Sequence, residues 1–230
     1  MSQSYYFLLD DLAEYLGLEK REVAERLKTA SEDIAIDFLK VNPQTEEERE
    51  EWYRKTDGYI YDLTNFTALR VQKGQIDEVA GLAKGRVLDW GCGIAEPAIR
   101  CARKGLDVTT IDLEGSRTFS YAKWRFKKHG VDIQTRIEGK YDTIICLDVL
   151  EHMEDPLGLV DYFSSILTEE GILILTTFFH RSNFLPMHLE HNEWLAEAFP
   201  SEMEGRGWEL VHGEYNHLDD STQVWRISKK

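Results

Sequence analysis

From Gln75 onwards the chain alternates between two hydrophobic periods. Short apolar runs rich in β-branched and aromatic residues predict strands at Arg86–Trp90, 107–113, 131–137, 141–148, 171–178, 208–214 and 222–228. Between them apolar residues recur at helical spacing: Ile76, Val79 and Ala80; Ile99 and Ala102; Phe119, Tyr121, Trp124 and Phe126; Val160, Phe163 and Leu167. Gly85, Gly105 and Gly130 stop three of these helices. Two shorter helices are expected at 192–199 and 201–205. Strands alternating with helices mean a mostly parallel sheet covered on both faces. The last two strands, joined by a short polar link, are expected to pair antiparallel.

Before Gln75 the pattern is helical only. Leu12, Tyr15 and Leu16 form one stripe, closed by Gly17, and Val23 and Leu27 form the next. Ser31 is the expected N-cap of a third helix, with Ile34, Phe38 and Leu39 inward, ended by Pro43. Thr45 and Glu48 make a capping box for a strongly acidic fourth helix. From Gly58, Tyr59, Leu63, Phe66 and Arg70 recur at helical spacing. Residues 1–74 read as a helical cap or a shield for one sheet edge, and 75–230 as the α/β domain.

Composition narrows the partners. The chain has 230 residues and a formal net charge of −15. That field repels a nucleic-acid duplex and an anionic membrane, and no basic cluster offsets it. A small-molecule substrate is expected instead. No run approaches the roughly 18 apolar residues of a membrane span, and the start has no signal-peptide pattern. Cys92, Cys101 and Cys146 lie singly inside expected strands and helices. An odd count without paired spacing points to a reducing cytoplasm, with neither disulfides nor zinc.

The candidate chemistry centres on Arg86–Ala95, RVLDWGCGIA. A strand that ends in a glycine turn and opens a helix presents backbone N–H groups and a positive helix terminus at its C-terminal end. In open α/β sheets that crevice takes the ligand. A dinucleotide fingerprint needs a third glycine where this chain has Glu96, whose carboxylate opposes a pyrophosphate. Asp89 suits an ammonium group better. With Asp89-Trp90-Gly91-Cys92-Gly93 in place, the chain resembles the class I S-adenosylmethionine-dependent methyltransferases. The resemblance implies a Rossmann-like sheet of order 3-2-1-4-5-7-6 and S-adenosylmethionine as cofactor. Asp112, ending the second strand, is in register to accept from both ribose hydroxyls. The fourth strand ends in CLDVLEHMEDP, similar to the LEH of ubiquinone-biosynthesis-type O-methyltransferases.

The cofactor site expected on this basis comprises Asp89, Gly91, Cys92, Gly93, Asp112, Leu113, Asp148 and Val149, with Tyr59 and Arg70 reaching in from the cap. The family's adenine-binding acid after strand three is missing, and Glu138 is its nearest substitute. Neither an Asn/Asp-Pro-Pro-Tyr sequence nor a Pro-Cys nucleophile is present, which argues against nucleobase methylation.

A hydroxyl or ammonium acceptor must lose a proton, which calls for a base near neutrality. His152, His188 and His191 are the candidates, with His180 nearby. His188, Glu190 and His191 also have the look of a metal set, but a helix capped by Asn192 follows them and no metal is expected. Phe178, Phe179, Phe184, Leu185 and Met187 make the loop after strand five apolar, as a pocket wall or as a surface buried under the cap. Tyr59, Tyr61 and Arg70 are the cap residues expected to face the ligand. The expected activity is methyl transfer to a small molecule by in-line displacement. The competing readings are a non-catalytic S-adenosylmethionine binder and an NAD-dependent oxidoreductase.

Overall fold

The computed structural model describes residues 3–182 and 185–228. The described residues begin with the helices α1 (Gln3–Leu16), α2 (Lys20–Leu27), α3 (Ala30–Val41), α4 (Glu46–Lys55) and α5 (Tyr59–Gln72). Then come α6 (Gln75–Leu82), β1 (Arg86–Trp90), α7 (Glu96–Arg103), β2 (Asp107–Ile111), α8 (Arg117–His129) and β3 (Tyr141–Leu147). The chain closes with α9 (Pro156–Ile166), β4 (Leu167–Thr176), α10 (Leu195–Gly205), β5 (Trp208–His212) and β6 (Gln223–Ile227). The capping box at Thr45 and Glu48 is formed. The third helix starts two residues early, with its N-cap at Thr29 rather than Ser31.

The sheet has six strands in the order β2-β1-β3-β4-β6-β5. β1 to β4 run parallel, while β6 is antiparallel to both β4 and β5. The seven-strand expectation is corrected at 131–137, which forms one bridge instead of a strand. Gln134 exchanges bonds with Val108 and Thr110 at 2.9 and 2.7 Å, and the pairing stops there. In this segment only Ile133 is buried; Asp132, Gln134, Thr135 and Arg136 face water. One fully buried side chain, with Val131 and Ile137 only half-buried, does not hold a strand to the sheet edge against its backbone entropy.

The two helices expected at 192–199 and 201–205 are largely one, α10, with Pro200 inside it. A proline there leaves the carbonyl four residues back without its N–H partner. That carbonyl belongs to Ala196, and Tyr215 Oη donates to it at 2.8 Å. The helix survives because a tyrosine replaces the missing donor.

Two apolar layers flank the sheet. One joins β3 and β4 to α9 and α10 through Ile144, Leu173, Phe163, Phe199 and Trp225; the other joins β1 to α7 and α8 through Val87, Ile99 and Phe119. A third cluster packs Leu8, Leu12, Val23, Leu27 and Ile60 against Ile94 and Tyr121 of the α/β layer. Beside it Arg125 of α8, fully buried, reaches Asp11 of α1 at 3.0 Å and Glu96 at 2.6 Å. Glu96, also held by Arg100 at 2.9 Å, is thus turned into an ion-pair network and away from the ligand crevice. The N-terminal helices are bound to the sheet layer by apolar contact and by buried charge.

Candidate active site

The site lies where β1, β2, β3 and β4 end together, with α5 and α4 crossing over them. The turn after β1 needs glycine twice. Gly91 has φ +67°, and a Cβ there would sit 2.5 Å from Val149 Cγ2. Gly93 has φ +54°, with Leu63 of α5 at 3.5 Å from its absent Cβ. Helix α5 therefore lies directly over the turn. The N–H groups of Gly91 and Cys92 donate to the Ile111 carbonyl at 2.9 and 3.1 Å, which locks the turn onto the end of β2.

Three carboxylates converge here in different states. Asp112 accepts from Gly93 N and Leu113 N at 2.8 and 2.7 Å, and burial raises its pKa against those bonds. Asp89 is buried, and its Oδ2 has no hydrogen-bond partner among the described residues. Burial, with the charge of Asp112 next, pushes Asp89 up to about 7 against a bond from the Ala98 backbone. Asp148 holds a left-handed backbone, φ 53°, which a non-glycine residue adopts only when its surroundings enforce it. Thr176 donates to its Oδ1 at 2.9 Å, and Arg70 Nη2 lies 2.7 Å from its Oδ2.

Arg70 is buried and also pairs with Asp220 at 2.9 Å, while its guanidinium stands over the Phe66 ring. The arginine expected to meet a donor carboxylate is already held by two carboxylates of its own chain. Tyr61 is buried too, but its hydroxyl accepts from Arg26 at 3.0 Å, in the helical cluster and away from the strand ends. Tyr59 does reach the crevice. Burial raises its pKa, and Tyr53, Asp62, Asp112 and Asp148 add to the shift. Glu138 is exposed, and its carbonyl is bonded by Arg86 at the start of β1, so it sits at the opposite end of the sheet from the crevice.

The histidines separate. His191 has a side chain 52% exposed and pairs with Glu154 at 3.5 Å; Glu190 pairs with Arg181 at 3.2 Å. The sequence neighbours His188, Glu190 and His191 therefore do not converge. His152 and His188 do, with rings 4.9 Å apart and perpendicular. His188 Nδ1 donates to the His180 carbonyl at 2.8 Å, and His152 Nδ1 to the Met187 carbonyl at 3.2 Å. Each ring keeps its lone pair on Nε2. Burial depresses both to about 4, so both are neutral at pH 7.

Two residues outside the expected set belong here. Tyr53 Oη lies 3.3 Å from His152 Nδ1; helix α4 is brought in by Trp52, which donates to Asp37 at 2.8 Å and packs on Phe38. Glu151 is buried, accepts from Thr177 Oγ1 at 3.1 Å and Phe178 N at 3.3 Å, and is pushed up to about 8 by burial and then by Asp148. Glu151 stood in the LEH motif; Tyr53 had only an aromatic pair on an acidic helix to mark it. In the loop after β4, Met187 packs on Ile34, Phe38 and Trp52, and Phe179 joins the sheet core. Phe178 and Leu185 are half-buried, Phe178 beside His180 and His188, and Phe184 lies outside the described residues.

Comparison with known proteins follows the same lines. A family model described as "Methyltransferase domain" matches residues 33–213. A ubiquinone biosynthesis O-methyltransferase of Psychrobacter cryohalolentis is 27% identical over 173 residues, 63% of this chain and 67% of that protein. One of Marinobacter nauticus is 36% identical over 114 residues, covering 44% and 48%. The chain spans between about half and two thirds of the length of such curated relatives. Among solved structures, magnesium protoporphyrin IX methyltransferase from Synechocystis PCC 6803, with bound S-adenosylmethionine, superposes with a TM-score of 0.51 at 21% identity, covering 85% of this chain and 95% of that one. At that identity the likeness speaks for the fold. Among the described residues no helix is long and apolar enough to cross a membrane. The chain belongs to the methyltransferase domain family, of the class I S-adenosylmethionine-dependent methyltransferases.

Proposed function

We propose that this chain is a cytoplasmic enzyme that transfers a methyl group from S-adenosylmethionine to a hydroxyl of a small molecule. One observation carries the reading: the Asp89 Oδ2 is buried at the end of β1 with no partner among the described residues. A buried acceptor left unbonded is costly, and a ligand ammonium at the strand end supplies the missing donor. Gly91 and Gly93 let the backbone approach that ligand, and Asp112 stands ready for its ribose hydroxyls. Leu113, Val149 and Cys92 supply apolar walls, and Tyr59 covers the crevice beside Asp112 and Asp148. In this reading residues 1–74 form the cap and 75–230 the catalytic domain.

When bound, S-adenosylmethionine supplies a methyl already activated on a sulfonium. The protein's work is to hold the acceptor oxygen in line and keep water out. α4 and α5 close the crevice, and the Nε2 lone pairs of His152 and His188 accept from and orient the acceptor's O–H. His191, exposed, has no part in this. A hydroxyl acceptor is favoured by the O-methyltransferase names of the relatives.

Calorimetry with S-adenosylhomocysteine and labelled-methyl transfer to a panel of hydroxylated aromatic compounds test the reading. Micromolar binding is expected, weakened roughly 10- to 100-fold by Asp112→Ala through loss of bonds to a charged acceptor. Binding of NAD without binding of S-adenosylhomocysteine overturns it.

A further inference from the structure

A cavity of about 470 Å³ lies between the N-terminal helices and α7, and it shares no residue with the crevice at the strand ends. Its size falls within the roughly 300–1,000 Å³ of small-molecule sites. Phe7 and Leu8 of α1, Val71 of α5 and Ala80 of α6 give it an apolar side. Arg100, Arg103 and Lys104, from the last turn of α7 and its C-cap, give it a basic side. We propose that this cavity binds a small amphipathic anion, a carboxylate or phosphate head on an apolar body, which clasps the N-terminal helices to α7.

The charges in the wall do not cancel. Both acids that line the cavity are already paired: Glu96 stands between Arg125 at 2.6 Å and Arg100 at 2.9 Å, and Asp77 is held by Arg100. Arg103 and Lys104 have no carboxylate partner among the described residues. Arg103 Nη2 donates to His129 Nδ1 at 2.9 Å, and Lys104 Nζ donates to the Ala80 carbonyl at 2.7 Å. His129 brings no charge to that contact. Its Nδ1 accepts from Arg103, so the ring proton sits on Nε2, 2.6 Å from Asp11 Oδ2. Arg103 and Lys104 are exposed, and their remaining N–H groups are open to a ligand oxygen. A charged head on these two groups is held by charge-assisted bonds, while its apolar body lies against Phe7, Leu8 and Val71. The walls come from α1, α5, α6 and α7 at once, so the site exists only while those helices are packed together, and a ligand in it stabilises that packing.

Calorimetry on the full-length protein tests this, with hexanoate and hexyl phosphate as probes. One equivalent of at least one of them is expected to bind, and the tighter of the two names the head group. Each methylene from butanoate to hexanoate is expected to tighten binding about fourfold, as apolar burial requires. Hexanol, which lacks the charge, is expected to bind at least about 10-fold more weakly. Arg103→Gln and Lys104→Gln are each expected to weaken the anion about 10-fold or more. Arg136→Gln, exposed and outside the cavity, is expected to bind as the wild type does. Each variant's own melting transition reports that it is folded, and hexanoate is expected to raise that transition in the wild type far more than in the cavity variants. S-adenosylhomocysteine, whose binding is measured separately, is expected to leave the anion's affinity unchanged. Failure of both anions to saturate a site, equal affinity for butanoate and hexanoate, or affinity unchanged in both Arg103→Gln and Lys104→Gln overturns the proposal. So does competition with S-adenosylhomocysteine, which would put the anion in the crevice.

Discussion

Arg70 Nη2 and Asp148 Oδ2 stand 2.7 Å apart, joining a cap helix to the residue that ends β3. Asp148 is the non-glycine residue that holds φ 53° at the crevice, so the ion pair fixes a backbone shape as well as a charge. Removing one partner of a buried pair leaves the other uncompensated, at about 3–5 kcal/mol. Arg70→Met is therefore expected to lower stability by that order in urea denaturation. Arg70→Met with Asp148→Asn is expected to recover part of the loss; a double variant as unstable as the sum of the singles denies the coupling.

Gly91 offers a packing test with a built-in control. In Gly91→Ala the new methyl meets Val149 at 2.5 Å and the φ of +67° is strained. S-adenosylhomocysteine binding is expected to fall by at least about 10-fold, since a strained φ alone costs about 1–3 kcal/mol. Adding Val149→Ala removes the collision but leaves the φ, so stability should recover in part. Wild-type stability and affinity in Gly91→Ala would show that the turn is looser than it stands here.

Asp89 predicts a pH dependence of definite sign. Burial lifts its folded pKa to about 7, above the ordinary carboxylate value near 4. Its contribution to stability is thus full below about pH 4 and is lost as pH rises through about 7. Asp89→Asn is expected to gain on the wild type by a few kcal/mol between pH 4 and pH 7, read by denaturation at each pH. Above pH 7 the ionised acid is ready for a ligand ammonium. Wild-type affinity for S-adenosylhomocysteine should therefore rise from pH 6 to pH 8, and the asparagine variant should stay flat. Parallel pH profiles for the two proteins would remove Asp89 from the ammonium site.

Arg125 is the centre of the buried network between cap and core. Arg125→Met removes the buried cation that Asp11 and Glu96 share, leaving Asp11 to Lys128 and His129 and Glu96 to Arg100, and a loss of up to about 3–5 kcal/mol is expected. Removing residues 1–55 takes Asp11 from Arg125, which keeps Glu96, and uncovers Ile94 and Tyr121. The truncated chain is expected to unfold at markedly lower temperature than the full chain. Equal melting temperatures would show that the core stands alone.

The strand pattern was legible because parallel strands buried on both faces write near-continuous apolar runs, as at 141–147. It misled at 131–137, where Val131, Ile133 and Ile137 are spaced like strand residues but only Ile133 is fully buried. Gly91, Gly93 and Asp112 could be read because all three lie within one strand–helix–strand unit, β1–α7–β2. The meeting of Tyr53, His152 and His188 could not. Those residues are joined by a helix brought in through a Trp52–Asp37 bond and by a loop anchored on a carbonyl, and neither contact has a sequence period. His191 looked equivalent to His188 in the sequence, yet His188 faces the crevice and His191 faces water.

The pairing of Asp11 with Arg125 also sets an order of events during synthesis. The two residues are separated by 114 positions. As the chain is made, Asp11 has none of its counter-charges until α8 has followed. Translation adds roughly 5–20 residues per second, so the acidic leading helices wait several seconds with their apolar stripes uncovered. The net negative charge of the chain also works against those waiting helices adhering to one another.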